Sequence, residues 1–440
     1  MTPRGTPSRP EAAGQRPETG RVTFGRVLQR PDYRRVWLSQ GISYIGDRFT
    51  QVALMLYVLD LARGSAAAVG YALVAQSVPV IVLGLFAGVF ADRWDKRKTM
   101  VACDLVRAAV IAAAPLARAP THIYAVAFLM SAVTSVFDPA LRASVPELLH
   151  DRDEILVANS LMYSTKYFTD ILGFTLAGLA VAAIGVRAAF LVDAASFVAS
   201  AALLVRIRRR LAAAGPPRPL TLRSVAEDLA AGFRYHARNP VVLSLLVSFA
   251  VGVLAMGGLN TLLVVGVKRL LGVGDFWWSF LLATQAVAMF LAVTALGRWG
   301  QKVPKPYLIL PGFFGIGAVS IGLGLCRSLP AAFGLYALLG VANTAFLVPS
   351  LTWIQEVVPF EFRGRVFALR GVTLNLANIA SCAVAGPLGD SLGVTPTLVG
   401  AGALLCLTGF FSAFLPGFRD AFRPGPGRPA GKVDVVAKSG

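Results

Sequence analysis

Asp47, Arg48, Asp104, Arg107, Lys166 and Asp170 stand inside stretches of this chain that are otherwise apolar. A charged side chain in hydrocarbon costs about 2.5–3.5 kcal/mol on insertion scales, so such residues tend to face a cavity or a partner. Asp47 and Arg48 are adjacent and point about 100° apart on a helix, which argues against a simple pair between them. Gln40, Tyr44, Asp47 and Gln51 share one helical face and make a polar stripe. A carboxylate in a low-dielectric cavity beside an arginine can change its proton occupancy when another group arrives, and Asp47 is therefore the first candidate for a protonation site. The alternative is a structural ion pair of Asp47 with Arg107 or Lys166. Asn159, Tyr163, Lys166 and Asp170 repeat the helical spacing, and Lys166 with Asp170 forms an i, i+4 pair that reads either as functional or as neutralising itself. Asp104 and Arg107, one turn apart, admit the same two readings.

The elements that would position these residues are long helices. Of 440 residues 56% are hydrophobic and 15% are charged, outside the range of soluble domains. Apolar runs fall near 36–61, 70–91, 99–118, 121–141, 155–184 and 187–205, and again near 240–267, 276–297, 306–326, 330–353, 366–389 and 394–415. Each can cross a hydrocarbon core of about 30 Å. The fold class expected is an all-α polytopic membrane protein with twelve transmembrane helices. Between the two sets of six lie Arg206, Arg208, Arg209 and Arg210, a Pro-Pro break at 216 and 217, and Leu222, Val225, Leu229 and Phe233 at helical spacing. The last four predict an amphipathic helix on the cytoplasmic face. The expected organisation is a disordered tail over 1–33, a six-helix half over 34–205, a linker over 206–239, a second half over 240–416 and a disordered tail over 417–440.

A net charge of +19 could indicate nucleic acid, but its distribution argues otherwise. With both ends inside, the cytoplasmic segments hold 33 of the 42 Lys and Arg, the loop between spans 10 and 11 counted with Arg363, Arg365 and Arg370. External loops hold 6, and Arg48, Arg107 and Lys166 lie in spans. This is the positive-inside pattern, attracted to the lipid bilayer and not to nucleic acid. The two halves also echo each other. Gln76 and Gly88 match Gln285 and Gly297, Pro139 matches Pro349, and Gly173 matches Gly386 at nearly constant offset, which supports two pseudo-symmetric halves.

The tightest charged loop is Gly88-Val-Phe-Ala-Asp92-Arg93-Trp-Asp95-Lys96-Arg97-Lys98 between spans 2 and 3. Gly88-x-x-x-Asp92-Arg93-x-x-Lys96-Arg97 resembles the loop signature of the major facilitator superfamily, with Asp95 where many members carry glycine. Ser43-x-x-Gly46-Asp47-Arg48, Asp104-x-x-Arg107, Asp138-Pro139-Ala140, Ala158-Asn159-Ser160 and Arg363-Gly364-Arg365-Val366 are similar to a branch of exporters that includes the enterobactin exporter and the macrolide efflux proteins. The resemblance implies rocker-switch alternating access driven by proton antiport. It also implies an inner gate in which Gly88 allows close approach and Asp92, with Arg93, meets Arg142 and the start of span 11; Asp138 ends span 4 beside it. Gly173 is followed by Phe174, and the Gly-Pro pair common in span 5 of drug antiporters falls instead at Gly386-Pro387.

In the second half Asn260, Gln285, Asn343, Asn375 and Asn378, with Phe249 and Phe346 nearby, offer amide and aromatic contacts to an apolar substrate. Trp277 and Trp278 read as an interfacial belt. No nucleotide-binding loop or nucleophile motif occurs, so no cofactor is implied and energy must come from an ion gradient. Cys103, Cys326, Cys382 and Cys406 have no metal-ligand spacing, and His122, His150 and His236 lie near span ends or in the linker. Composition hints at a bacterial source and the charge distribution places both termini in the cytoplasm; the resemblance implies an inner-membrane protein that moves protons and a small amphipathic compound, and nothing in the sequence demands more than a monomer. The alternatives are an importer or lipid flippase of the same fold, or a non-transporting sensor.

Overall fold

The computed structural model describes residues 23–84, 94–149, 151–209, 211, 222–300 and 303–422. Gly88, Asp92 and Arg93, and with them the expected inner gate, lie outside the described residues, as does His150.

Among the described residues twelve long helices form the bundle: α1 (Pro31–Leu61), α2 (Ala66–Gly84), α3 (Lys96–Ala113), α4 (Pro120–Leu148), α5 (Arg152–Ile184), α6 (Val186–Val205), α7 (Pro240–Leu271), α8 (Asp275–Trp299), α9 (Pro306–Leu325), α10 (Leu329–Val357), α11 (Phe360–Ser391) and α12 (Val394–Phe414). Eleven are apolar enough to cross a membrane by hydropathy alone. The twelfth, α1, has the length but carries Asp47 and Arg48 at its middle, because its polar side faces the protein interior. Apolar side chains such as Phe410, Phe411 and Phe414 remain exposed on the outside of the bundle, as a lipid-facing surface requires.

The helix pairing repeats. In the first six helices α1 packs on α5 and α6, α3 on α4 and α6, and α2 on α4; in the second six α7 packs on α11 and α12, α9 on α10 and α12, and α8 on α10. Contacts between the two sets are dominated by α2 with α11 and by α5 with α8, which exchange under the same correspondence. Gly386 of α11 permits the first of these, since a Cβ there would sit 2.7 Å from the Ala67 Cα.

Several boundaries differ from those expected. Asp138-Pro139-Ala140 does not end a span: α4 runs on to Leu148 with Pro139 and Pro146 inside it. A proline removes one hydrogen bond, and neighbouring helices tolerate that loss in a membrane bundle. Asp138 is thus about 15 Å of helix from the terminus of α4. Neither tail is free throughout. Residues Phe24–Leu28 form a helix, Val27 and Tyr33 are buried, and the Tyr33 hydroxyl donates to the Ala158 carbonyl at 2.8 Å. Pro416–Phe422 is helical, with Phe418 packed edge-on against Trp353 at 5.3 Å. Apolar side chains among polar neighbours anchor both segments.

The linker helix Leu222–Arg238 forms where the periodicity places it, against the N-terminal end of α11. Tyr235 stacks on Phe362 at 5.0 Å, Gly232 and His236 are buried, and Phe233 stays 63% exposed. At the loop before α3, Asp95 caps the helix by accepting from the Lys98 amide at 3.0 Å. Lys96 is buried against Glu147 at 2.6 Å and Arg97 donates to the Ile207 carbonyl at 2.7 Å, so these cations tie α3 to α4 and α6 besides adding positive charge.

Candidate functional site: a cavity between the two halves

Two adjoining cavities lie at the middle of the bundle. One of about 350 Å³ is lined by Gln51, Gln76 and Ser77 from α1 and α2, Asp170 from α5, and Asn260, Trp278, Gln285 and Asn378 from the second half. The other, of about 370 Å³, is lined by Asp47, Arg48, Thr50, Gln51, Gln76, Ser131, Thr134 and Asn375. Their volumes suit a small molecule, and the mixture of amides, hydroxyls and apolar walls suits an amphipathic one. Gln76 and Gln285, which stand at matching positions of the repeat, face the same space. Asn378 donates to the Ser77 hydroxyl at 3.2 Å across the halves.

Asp47 reaches this space without an ion-pair partner within 4 Å among the described residues, so the structural pair with Arg107 or Lys166 does not form. Arg107 turns instead to Asp104, one turn away on α3, and Asp104 also accepts from Ser200 at 2.6 Å. The Arg107 guanidinium is held between the rings of Phe137 and Phe197, with its carbon 4.1 and 4.5 Å from their centroids. This is a closed packing unit in the interior of the first half. Lys166 and Asp170 do not pair with each other either. Asp170 Oδ1 lies 3.3 Å from Arg48 Nε, out of line for a hydrogen bond, and Arg48 donates to Gln51. The i, i+4 spacing loses because Lys166 points to an exposed face while Arg48 crosses from α1.

Of the residues expected in the cavity, Gln51, Asn260, Gln285, Asn375 and Asn378 line it. Gln40 is buried, its amide nitrogen unpartnered among the described residues. Tyr44 is half-buried on α1 and does not line either cavity. Asn159 and Tyr163 are exposed, Tyr163 by 64%, and Asn343 is half-buried on α10. Asp138 and Arg142 are both exposed, and no ion pair joins them among the described residues. Phe249 and Phe346 do not face a substrate; with Phe313 they form a buried ring cluster, Phe249 to Phe346 at 4.8 Å. Trp278 is no interfacial residue. It is 5% exposed and lines the cavity, whereas Trp277 is 38% exposed.

Two intramembrane charges carry no helical pairing pattern that would single them out. Asp193 of α6 is wholly buried and accepts from the Thr50 hydroxyl and, at 2.9 Å, from Ser196. Arg370, counted with the loop cations, sits ten residues into α11 with its guanidinium 5.2 Å from the Phe249 ring. Thr50 and Ser77 were equally hidden, being ordinary polar residues until the neighbouring helices are in place, and Gln76 stood out only through its match to Gln285.

At the face remote from the linker helix the halves are latched. Asp390 at the end of α11 accepts from the Ser65 hydroxyl at 2.6 Å and from the amides of Ala66 and Ala67 at 2.9 and 3.0 Å, capping the start of α2. Arg269 reaches both Asp390 at 3.2 Å and the Gly64 carbonyl at 2.7 Å, and Lys268 bridges Asp60 at 3.0 Å.

Two repeated six-helix sets with a polar cavity between them are the architecture of a class of secondary membrane transporters. The comparisons agree. A sequence model of the Major Facilitator Superfamily matches residues 36–382, and the chain belongs to that family. It is 25% identical over 85% of its length, and 90% of the relative's, to the MFS-type transporter YfiS of Bacillus subtilis. It is 25% identical to the multidrug efflux pump Tap of Mycolicibacterium fortuitum, over 85% of this chain and 93% of the pump. With macrolide efflux protein A of Streptococcus pyogenes it shares 24% over 84% of this chain and 92% of that protein. Among solved structures, the nucleoside transporter NupG superposes with a TM-score of 0.73 at 10% identity, covering 87% of this chain and 98% of that one. The protein is a multi-pass membrane transporter and, like these relatives, not an enzyme.

Proposed function

We propose that the protein exports a small amphipathic compound, an antibiotic or siderophore among the candidates, across a bacterial plasma membrane in exchange for protons. The observation that carries this is the pair of adjoining central cavities, one lined by Asp47, which has no ion-pair partner among the described residues, the other by neutral amides from the second half. A lone carboxylate facing a substrate space binds either a proton or the substrate's charge, and exchanging the two couples their movements. The named pumps among the relatives support export. The positive-inside distribution supports cytoplasmic termini, which makes the Asp390 latch an external gate. The loop around Asp92 would supply the internal one, as the loop signature implies.

Inside-out vesicles with an acid interior and a pH-sensitive dye test the proposal, with macrolides, siderophores and other amphipathic compounds added in turn. Compound-dependent proton release by the wild type, absent in Asp47→Asn, is the expected result. Release by both would remove Asp47 from the coupling path. Silence across the panel with folded protein would count against proton-coupled export and favour import or lipid movement.

A further inference from the structure

We infer that Asp193 of α6, acting together with Asp47 of α1, is a second proton-binding carboxyl of this transporter, connected to the central cavity by the Thr50 hydroxyl; this rests on the proton-coupled reading above.

Asp193 is 0% exposed, and its two carboxyl oxygens are met by two hydroxyls, Thr50 on Oδ2 and Ser196 on Oδ1. No cation lies within 4 Å of it among the described residues. The approach of α1 is enforced by Gly46, where any Cβ would strike Ser196 and the Asp193 carboxyl. One turn on, Thr50 lines the cavity beside Asp47 and Gln51 while its hydroxyl touches Asp193. A single side chain therefore spans the buried carboxyl and the substrate space.

The charged groups around this pair come from every helix packed on α6. On α1 there are Asp47 itself and Arg48, which is committed to Asp170 of α5 and to Gln51. On α3 there are Asp104 and Arg107, already joined to each other. From α5 Lys166 acts on Asp47, and Asp138 of α4 does so with the opposite sign. Asp47 and Asp193 are linked through Thr50, which lines the cavity with the first and hydrogen-bonds the second. Asp193 thus has two hydroxyls for partners, while Arg107 is taken up by Asp104 and Arg48 by Asp170 and Gln51. A carboxylate buried with hydroxyls and no cation within 4 Å among the described residues is costly in a low-dielectric interior, and a proton on Asp193 removes that cost.

The transfer is a simple relay. Asp193 in its acid form gives its proton to the Thr50 oxygen as the Thr50 hydroxyl gives its own to a water of the cavity, which passes one on to the Asp47 carboxylate. One O–H bond breaks and one forms at each step, Thr50 ends neutral, Asp193 ends ionised and Asp47 ends as the acid facing the cavity. Reversal refills Asp193 when the cavity is next exposed to protons.

Infrared difference spectroscopy of the full chain in lipid, titrated with pH, reads protonated carboxyl C=O bands directly and needs no substrate. The wild type is expected to show a titrating band from each of Asp47 and Asp193. Asp193→Asn should lose one band and shift the titration of the other, and Asp47→Asn should do the converse. Asp193→Asn with the wild-type set of bands overturns the site, and loss of one band with no shift in the other overturns the pairing. Should Asp193→Asn not fold, Thr50→Val and Ser196→Ala each remove one hydrogen bond from Asp193 and should shift its band; an unmoved band again overturns the assignment. The dye assay separates the two proposals: an Asp193 band in a protein that releases no protons removes antiport alone, whereas antiport without an Asp193 band removes this site alone.

Discussion

Arg107 shows how little a one-turn spacing says about a residue's use. The same Asp–x–x–Arg spacing could have lined a substrate path, but two aromatic rings and a buried carboxylate enclose the guanidinium. Arg107→Ala would leave Asp104 buried without its cation, and removing one partner of a buried pair costs about 3–5 kcal/mol. Thermal unfolding in detergent should register that loss. Arg107→Lys should recover only part of it, because an ammonium does not stack flat between rings. Asp47→Asn should leave the unfolding midpoint near that of the wild type, since Asp47 has no ion pair to lose, while abolishing compound-driven proton release. Asp193 escaped the sequence for a specific reason: a single aspartate in an apolar run, with serine and alanine around it, has no partner within its own helix. Its donors come from α1 and from the next turn of α6, and only packing brings the former to it.

At the scale of elements, the linker helix has a partner that its periodicity could not name. Its period is that of a surface helix, yet the docked side carries Gly232 and His236 against α11. A Cβ on Gly232 would lie 2.7 Å from the Arg365 carbonyl, so Gly232→Leu should release the helix, read as faster proteolysis of the linker. Burial pushes the His236 imidazole below its ordinary value near 6.5, against a smaller opposing effect of the Gly232 carbonyl. The released helix then binds a proton more readily than the docked one. Docking should be complete above about pH 6.5 and weaken as pH falls toward the lowered value. Spin labels on the linker helix and α11 would report the distance, and His236→Gln should remove the pH dependence.

For the whole molecule, the latch at the remote face joins the two halves there. Asp390 holds four donors from both halves, and hydrogen bonds to a charged group contribute about 1.5–3 kcal/mol each when removed. Asp390→Ala should shift the population toward a state open at that face by about tenfold or more, each 1.4 kcal/mol being a factor of ten. Double electron–electron resonance between labels near Asp60 and Asp275 should show the longer distance gaining amplitude. Unchanged distances would assign closure to the packing of α2 on α11 and not to the latch.

The class, the number of helices and their order were legible in the sequence, because hydropathy over about 20 residues is a local property that the bilayer imposes on each helix separately. The repeat was legible too, since Gln76 and Gln285 keep their offset and meet in one cavity. Partner choice was not. Whether Asp170 takes Lys166 or Arg48, whether Trp278 faces lipid or substrate, and whether Asp193 meets a cation or two hydroxyls depend on rotation of each helix about its axis. That rotation is fixed by side chains arriving from other helices, and it was decided by the tertiary structure alone.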